Sequence, residues 1–126
     1  MEREIIKTDA APAAIGPYSQ AVRADNLIFV SGQLGIDPVS GEMPDSVEEQ
    51  TRLALKNLDA ILTEAGSSAA DVVKATVLLA DMGDFALVNE LYGDYFPSPY
   101  PARAAFAVKT LPKNGKVEIE CIAIRR

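Results

Sequence analysis

The chain has 126 residues, of which 48% are apolar and 24% are charged, so we expect one ordinary globular domain spanning residues 1–126. Its formal net charge of −6 argues against general binding to a nucleic-acid backbone. The sequence has no histidine and one cysteine, which excludes Ser-His-Asp and Cys-His nucleophile systems, disulfide frameworks and nearly every zinc site.

The N-terminal third of the sequence predicts strands. The chain begins with charged residues instead of the apolar core of a signal peptide, and no later apolar run approaches the ~20 residues of a membrane span. We therefore expect a cytoplasmic protein without a membrane partner. Ile5-Ile6-Lys7 is typical of a strand start. Ser19 to Gln33 predicts a β-hairpin that turns at Ala24-Asp25-Asn26, with a second arm, Leu27 to Val30, that ends at Ser31-Gly32.

The middle of the sequence predicts two helices around a buried strand. A capping box at Ser46 begins the first helix, and Gly66 is placed to end it. The apolar, β-branched run from Val72 to Ala80 predicts a central strand. A second helix is expected from about Asp84 until Pro97 stops it. Its buried stripe would consist of Phe85, Val88, Leu91, Tyr92, Tyr95 and Phe96.

Two further strands, about Arg103 to Val108 and Val117 to Ile124, complete the order β-β-β-α-β-α-β-β. Pro112 and Asn114-Gly115 supply the turn between them. This order predicts an α/β (α+β) fold in which a mixed sheet of about six strands carries two helices on one face. The other face then needs a different cover.

The last two strands alternate in character, which predicts which residues share a face of the sheet. We assign the uniformly apolar sides to the helix-packed core: Val117, Ile119, Cys121 and Ala123 in the last strand, and Ala104, Phe106 and Val108 in the preceding one. The second face then carries Glu118, Glu120, Ile122 and Ile124 beside Arg103, Ala105 and Ala107. That mixture is too apolar for open water and too charged for a dry core. It indicates a subunit interface that encloses a polar cleft.

Five short motifs, in register over the whole chain, resemble the Rid family, also called YjgF. They are Gly16-Pro17-Tyr18-Ser19-Gln20, Ser31-Gly32-Gln33, Asp84-Phe85 with Val88-Asn89, Pro101-Ala102-Arg103 and Val117-Glu118-Ile119-Glu120. The resemblance implies a chorismate-mutase-like fold and a homotrimer with active sites in clefts between subunits. It also implies the RidA activity, a 2-iminobutanoate/2-iminopropanoate deaminase that hydrolyses reactive 2-imino acids to 2-keto acids and ammonia. Arg103 matches the arginine that marks this branch.

The resemblance also implies roles for individual residues. Arg103 would bind the substrate carboxylate, since a guanidinium donates two parallel hydrogen bonds, and Glu118 would lie over the attacking water, acting as base and then as acid. The other substrate-binding residues would be Tyr18, Ser31, Gly32, Asn89 and the main chain of Ala105. Many members carry cysteine where this chain has Ala105, so a thiol role is excluded there. No cofactor and no metal are expected.

The residues themselves leave alternatives open. From the strand pattern alone, Arg103 is more readily an interface salt bridge, with Glu120 as its partner. Glu118 is as readily a structural carboxylate as a catalytic one, and Cys121 is expected to be a buried, inert thiol. At the level of function, the alternatives are a module that binds keto acids or amino acids without turnover and a nuclease or translation inhibitor. The acidity of the chain and its lack of histidine argue against the last.

Overall fold

The structure is a computed structural model that describes residues 2–126. Over this range it confirms the predicted order of six strands and two α-helices. The strands are β1 Arg3–Ile6, β2 Ala21–Ala24, β3 Leu27–Leu34, β4 Val72–Leu79, β5 Ala102–Ala107 and β6 Val117–Ile124, and the helices are α1 Val47–Glu64 and α2 Phe85–Tyr95. The described strands form one mixed sheet in the order β1-β2-β3-β6-β4-β5, in which β4 and β5 pair in parallel and every other pair is antiparallel.

Local sequence signals set the ends of α1 where they were predicted. The Ser46 side chain accepts a hydrogen bond from the Glu49 backbone N–H (3.1 Å), which satisfies one of the free donors of the first turn. After the helix, Gly66 has a φ of +78°, a conformation that glycine adopts without strain. In α2 the predicted stripe also faces the core, with Val88, Leu91 and Tyr92 buried.

The core lies between the two helices and one face of the sheet. Ile119 and Cys121 of β6 and Val77 of β4 are buried there against α1 residues such as Leu58 and Ile61. The predicted burial of Cys121 is confirmed, and this burial, with a smaller effect of Glu120, raises the pKa of the thiol to about 12. Over residues 2–126, no helix combines the length and the apolar character that crossing a membrane requires.

The predicted end of β3 is wrong. The strand passes through Ser31 and Gly32 and continues to Leu34. Val30 pairs with Cys121 and Gln33 pairs with Ile119, so two residues of β3 lie opposite one residue of β6. This is a β-bulge, which accommodates one extra residue without ending the ladder. Residues that are typical of a turn therefore interrupt the regular pairing here, and the strand resumes after them.

The predicted faces of β5 are also wrong. Parallel pairing sets Arg103 beside the core residue Ala75, and Ala105 beside Val77, so these side chains share the helix-packed face. Phe106, which we assigned to the core, is 48% exposed and lies beside Leu78 on the opposite face. Ala104 and Val108 are likewise only half-buried. Because this edge strand is apolar on both faces apart from Arg103, its alternation carried no information about which face is buried.

The face of the sheet opposite the helices mixes apolar and acidic side chains. Among residues 2–126, Ile5, Leu27, Phe29 and Phe106 are its large exposed apolar residues. Glu118 and Glu120 of β6 lie on the same face, because Glu118 pairs with Leu78, the neighbour of Phe106. We call this surface the open face. Its mixed character agrees with the prediction from β6, whereas the predicted subunit interface remains a prediction.

The buried side chain of Asn57 provides a test of how α1 is attached to the sheet. Its Nδ2 donates to the carbonyl oxygens of Leu34 (3.2 Å) and Ile36 (2.8 Å), just beyond the bulge. Asn57→Ala would remove the donor to the Ile36 carbonyl and leave the Leu34 carbonyl with only the Ile36 backbone N–H, so we expect the free energy of unfolding to fall by about 1–2 kcal/mol. Urea denaturation at a fixed protein concentration measures this loss. The exposed neighbour Lys56→Ala is the control, and equal loss in the two variants would contradict the account.

Candidate functional site

Arg103 lies at the start of β5, where its side chain packs against α2. One guanidinium nitrogen, Nη1, donates to the Asn89 Oδ1 (2.6 Å). The guanidinium carbon is 4.9 Å from the centroid of the Tyr92 ring and 5.3 Å from that of Phe85. These three α2 residues are spaced by four and three positions, which places them on one side of the helix. We call Arg103 and these three residues the arginine cluster.

The arginine cluster opens onto a cavity of about 460 Å³. The cavity is lined by Asn89, Tyr92, Gly93, Tyr100, Pro101 and Arg103. Within residues 2–126, no carboxylate forms a salt bridge with Arg103, and Glu120, the partner considered from the sequence, lies on the open face instead. A guanidinium at a cavity without an acidic partner has donors available for a small anion.

Glu118 belongs to a second group of residues, beside the bulge of β3. A Cβ atom added at Gly32 would lie 2.8 Å from the Cδ and Oε2 atoms of Glu118, so only glycine admits the carboxyl group this close to the strand. Two hydrogen bonds hold Ser31, the residue before Gly32. Its Oγ donates to the Ser19 carbonyl (2.6 Å), and its backbone N–H donates to the Gln20 carbonyl (2.9 Å). We call Ser31, Gly32 and Glu118 the glutamate cluster.

Partial burial raises the pKa of the Glu118 carboxyl group above its ordinary value, and the negative charge of Glu120 raises it further. A carboxyl group with a raised pKa is a stronger base when it is ionised than an ordinary glutamate is, which suits it to accept a proton and return it. Tyr18 precedes Ser19, whose carbonyl accepts from Ser31, and it lines a separate cavity of about 390 Å³ with Ser19 and Gln20. Its side chain is 54% exposed.

The structure thus divides the residues predicted from the sequence into two groups on opposite faces of the sheet. Arg103, Asn89 and Ala105 lie on the helix-packed face, whereas Ser31, Gly32 and Glu118 belong to the open face and its bulge. In a single chain the guanidinium and the carboxyl group therefore do not face one common space.

Sequence reasoning assigned Phe85 and Tyr92 to the core stripe of α2 and missed their contact with Arg103. Their spacing from Asn89 was the available signal, because it places all three on one side of a helix. Tyr100 and Gly93, which line the cavity, were also missed.

Comparison with known proteins gives a match to the endoribonuclease L-PSP family over residues 8–125. This chain belongs to that family. It is the family identified from the sequence as Rid or YjgF, so the resemblance is confirmed over nearly the whole chain.

Close relatives of this L-PSP family member carry activity names. A Bos taurus protein named 2-iminobutanoate/2-iminopropanoate deaminase is 57% identical, covering 98% of this chain and 90% of the relative. An Arabidopsis thaliana protein named Reactive Intermediate Deaminase A, chloroplastic, is 52% identical over 98% of this chain and 66% of its own length. The crystal structure of E. coli TdcF with bound serine matches with a TM-score of 0.93 and 44% identity, covering 98% of this chain and 99% of that one. The chorismate-mutase-like fold of the Rid family is thereby confirmed.

The raised pKa of Glu118 predicts how this family member responds to pH. The folded chain binds a proton at Glu118 more tightly than the unfolded chain does, so the ionised carboxylate destabilises the fold at pH values above the raised pKa. Below the ordinary pKa of glutamate both states are protonated and the penalty vanishes. We therefore expect Glu118→Gln to raise the melting temperature at pH 7 and to have little effect near pH 4.

Thermal unfolding at both pH values measures this difference. Glu42→Gln, which changes an exposed loop carboxylate, is the control for the loss of one negative charge. A stabilisation by Glu118→Gln that is equal at pH 7 and pH 4, or that is matched by Glu42→Gln, would contradict the proposed effect of burial.

Proposed function

We propose that this protein is a 2-iminobutanoate/2-iminopropanoate deaminase, which hydrolyses the C=N bond of small 2-imino acids to give 2-keto acids and ammonia. The observation that carries the proposal is the guanidinium of Arg103, which α2 holds at an open cavity and which no carboxylate in residues 2–126 neutralises. The names of the bovine and plant relatives support the same activity.

Arg103 is suited to the carboxylate that lies beside the C=N carbon of every 2-imino acid. A guanidinium has five N–H donors, of which Asn89 accepts one. Two of the others are sufficient for a pair of parallel hydrogen bonds to a carboxylate. Binding of this kind fixes the position of the adjacent carbon, and orientation alone lowers the barrier to attack by a bound water.

Glu118 is suited to the proton transfers of the reaction. As water adds to the C=N carbon, the carboxylate takes a proton from it. The carboxyl group returns this proton to the nitrogen, which gives a carbinolamine. It then moves the remaining hydroxyl proton to the amino nitrogen in the same way, so that the C–N bond breaks as the C=O bond forms, and a keto acid and ammonia leave. The partial burial that raises the pKa of Glu118 makes its carboxylate a stronger base, which favours the uptake of a proton from water. Ser31 and the backbone at Gly32 adjoin this carboxyl group and would contact the substrate with it.

We propose that the arginine cluster of one protomer meets the glutamate cluster of the next in a homotrimer. Two observations support this arrangement. The two clusters lie on opposite faces of one chain, and the open face exposes apolar side chains, Phe29 at 42% and Phe106 at 48%, that a neighbouring protomer would bury. Contacts between two different surfaces of identical chains close into a ring when the rotation permits.

The endoribonuclease activity in the family's description is a second candidate. The net charge of −6 and the lack of histidine count against it, because phosphodiester binding favours basic surfaces and phosphodiester cleavage needs stronger acid–base catalysis. A binding module without turnover is the third candidate, to which the serine bound in TdcF is relevant. The cytoplasmic location expected from the sequence stays a prediction, since the plant relative is named chloroplastic.

A trapping assay tests the activity directly. An amino-acid oxidase generates 2-iminobutanoate or 2-iminopropanoate in the presence of semicarbazide, and the initial rate of semicarbazone formation is measured. The wild-type protein is expected to compete for the imine and slow this rate. Arg103→Ala should lose about 100-fold or more in kcat/KM, because a charged hydrogen-bonded pair with the substrate is lost.

Arg52→Ala, which removes an exposed arginine of α1, is the control and should behave like the wild type. Full competition by Arg103→Ala would exclude the assigned role of Arg103. A wild type that binds keto acids but never slows semicarbazone formation would favour the binding module, and release of nucleotides from RNA in its place would favour the endoribonuclease.

Mixing two inactive variants tests whether each site spans two protomers. Arg103→Ala and Glu118→Gln are each expected to be inactive as pure assemblies. When they are co-refolded, random association pairs an intact Arg103 with an intact Glu118 at about a quarter of the interfaces, so about a quarter of the wild-type activity should return. Samples refolded separately and then mixed are the control. No recovery on co-refolding, with the assembly intact by light scattering, would mean that both groups act within one chain.

A further inference from the structure

The ring of Tyr92 is the nearer of the two aromatic rings against the Arg103 guanidinium, at 4.9 Å from its central carbon. Tyr92 is only 4% exposed. Its hydroxyl group is buried and has no hydrogen-bond partner in residues 2–126. A buried tyrosine is usually selected for a hydrogen bond as well as for its ring. At this position the contacts of the residue are those of its ring, with the core residue Phe96 on one side and with the Arg103 guanidinium on the other.

A ring face restrains a guanidinium in a different way from a carboxylate. A carboxylate occupies the edge of the guanidinium, where the N–H groups point, whereas an aromatic ring attracts the flat face of the cation. The rings of Tyr92 and Phe85 can therefore hold the guanidinium while leaving its donors available. Asn89 accepts from Nη1. Among residues 2–126 the other N–H groups of the guanidinium have no acceptor, which leaves them for a ligand.

The Tyr92 ring packs against a series of further aromatic side chains. Its ring centroid is 4.5 Å from that of Phe96, which is 4.7 Å from that of Tyr95. The Tyr95 hydroxyl donates to the Asp59 Oδ1 of α1 (2.7 Å). The ring that contacts Arg103 is thus anchored to both helices, and it can set the direction of the guanidinium more rigidly than the one hydrogen bond that the guanidinium donates to the exposed Asn89.

We propose that Tyr92 is a positioning residue, whose ring orients the Arg103 guanidinium toward the substrate carboxylate without using its hydrogen-bond donors. This inference rests on the proposed function for the identity of the substrate. The Phe85 ring makes a second contact with the same guanidinium. In this proposal the ring of Tyr92 orients the guanidinium, and its hydroxyl group has no part in that role.

The test compares Tyr92→Leu with Tyr92→Phe in the full-length assembly. The probe is 2-oxobutanoate, and its dissociation constant is measured by calorimetry beside kcat and KM for the imine. Tyr92→Leu removes the ring and is expected to weaken binding of 2-oxobutanoate about tenfold and to raise KM by a similar factor. Tyr92→Phe restores the ring and should recover the lost affinity. Leu91→Val, in the buried side of the same helix, should lower stability but not affinity.

Coupling to Arg103 distinguishes positioning from a general packing role. In an Arg103→Lys background there is no planar guanidinium to orient, so Tyr92→Leu should change the affinity by much less than tenfold. A loss of the same size in both backgrounds, or failure of Tyr92→Phe to recover binding, would overturn the proposal. If Tyr92→Leu does not fold, Phe85→Leu, at a less buried position, should weaken binding severalfold, and unchanged binding there would also overturn it.

These measurements separate this inference from the proposed function. A wild type that binds 2-oxobutanoate but does not hydrolyse the imine would overturn the deaminase alone. Equal affinity of the wild type and Tyr92→Leu would overturn the role of Tyr92 alone, and a wild type that neither binds 2-oxobutanoate nor hydrolyses the imine would overturn both.

Discussion

The pairing of β5 with its neighbour determines how the chemistry of this protein is arranged. Parallel pairing with β4 aligns Arg103 with the core residue Ala75, which places the guanidinium on the helix-packed face. Antiparallel pairing of β6 with the same strand aligns Glu118 with Leu78, on the open face. Side chains alternate strictly along a strand. A shift of one residue in the pairing of β5 or of β6 would therefore move Arg103 or Glu118, respectively, to the other face of the sheet. The separation of cation and carboxyl group follows from these two registers.

The Arg103 guanidinium and the Glu118 carboxyl group lie in different surroundings, which affect their chemistry in different ways. The guanidinium has two aromatic rings and one amide around it, which restrain it without neutralising its charge. The Glu118 carboxyl group is pressed against a glycine at a bulge, and its burial raises its pKa. Hydrolysis of an imine needs an oriented carbon and two protons moved from oxygen to nitrogen. In the proposed mechanism these two residues would meet those requirements in a chain without histidine.

The sequence predicted what local chemistry determines. The capping residue Ser46 and the glycine after α1 mark that helix because they satisfy or end its hydrogen bonds locally. The faces of β6 were predicted correctly, because only one of its sides is free of charged residues. The resemblance named Arg103 and Glu118. The structure places Arg103 at a cavity and Glu118 at the bulge, and their roles stay predictions.

What the sequence could not predict depends on contacts between distant segments. Ser31-Gly32 is typical of a strand end, and only its pairing with β6 turns it into a bulge. In β5 both sides are apolar apart from Arg103, so the register with β4 decided the faces. The spacing of Phe85 and Tyr92 indicated their side of α2, but it gave no sign that an arginine from a later strand packs there.

A crystal structure of the protein with 2-oxobutanoate bound would test the central claim most directly. The account predicts that the ligand carboxylate accepts hydrogen bonds from Arg103 of one protomer, while its carbonyl carbon faces Glu118 of the partner subunit. A ligand bound away from Arg103, or an assembly in which the open face is exposed to solvent and no Glu118 approaches the arginine cavity, would contradict it.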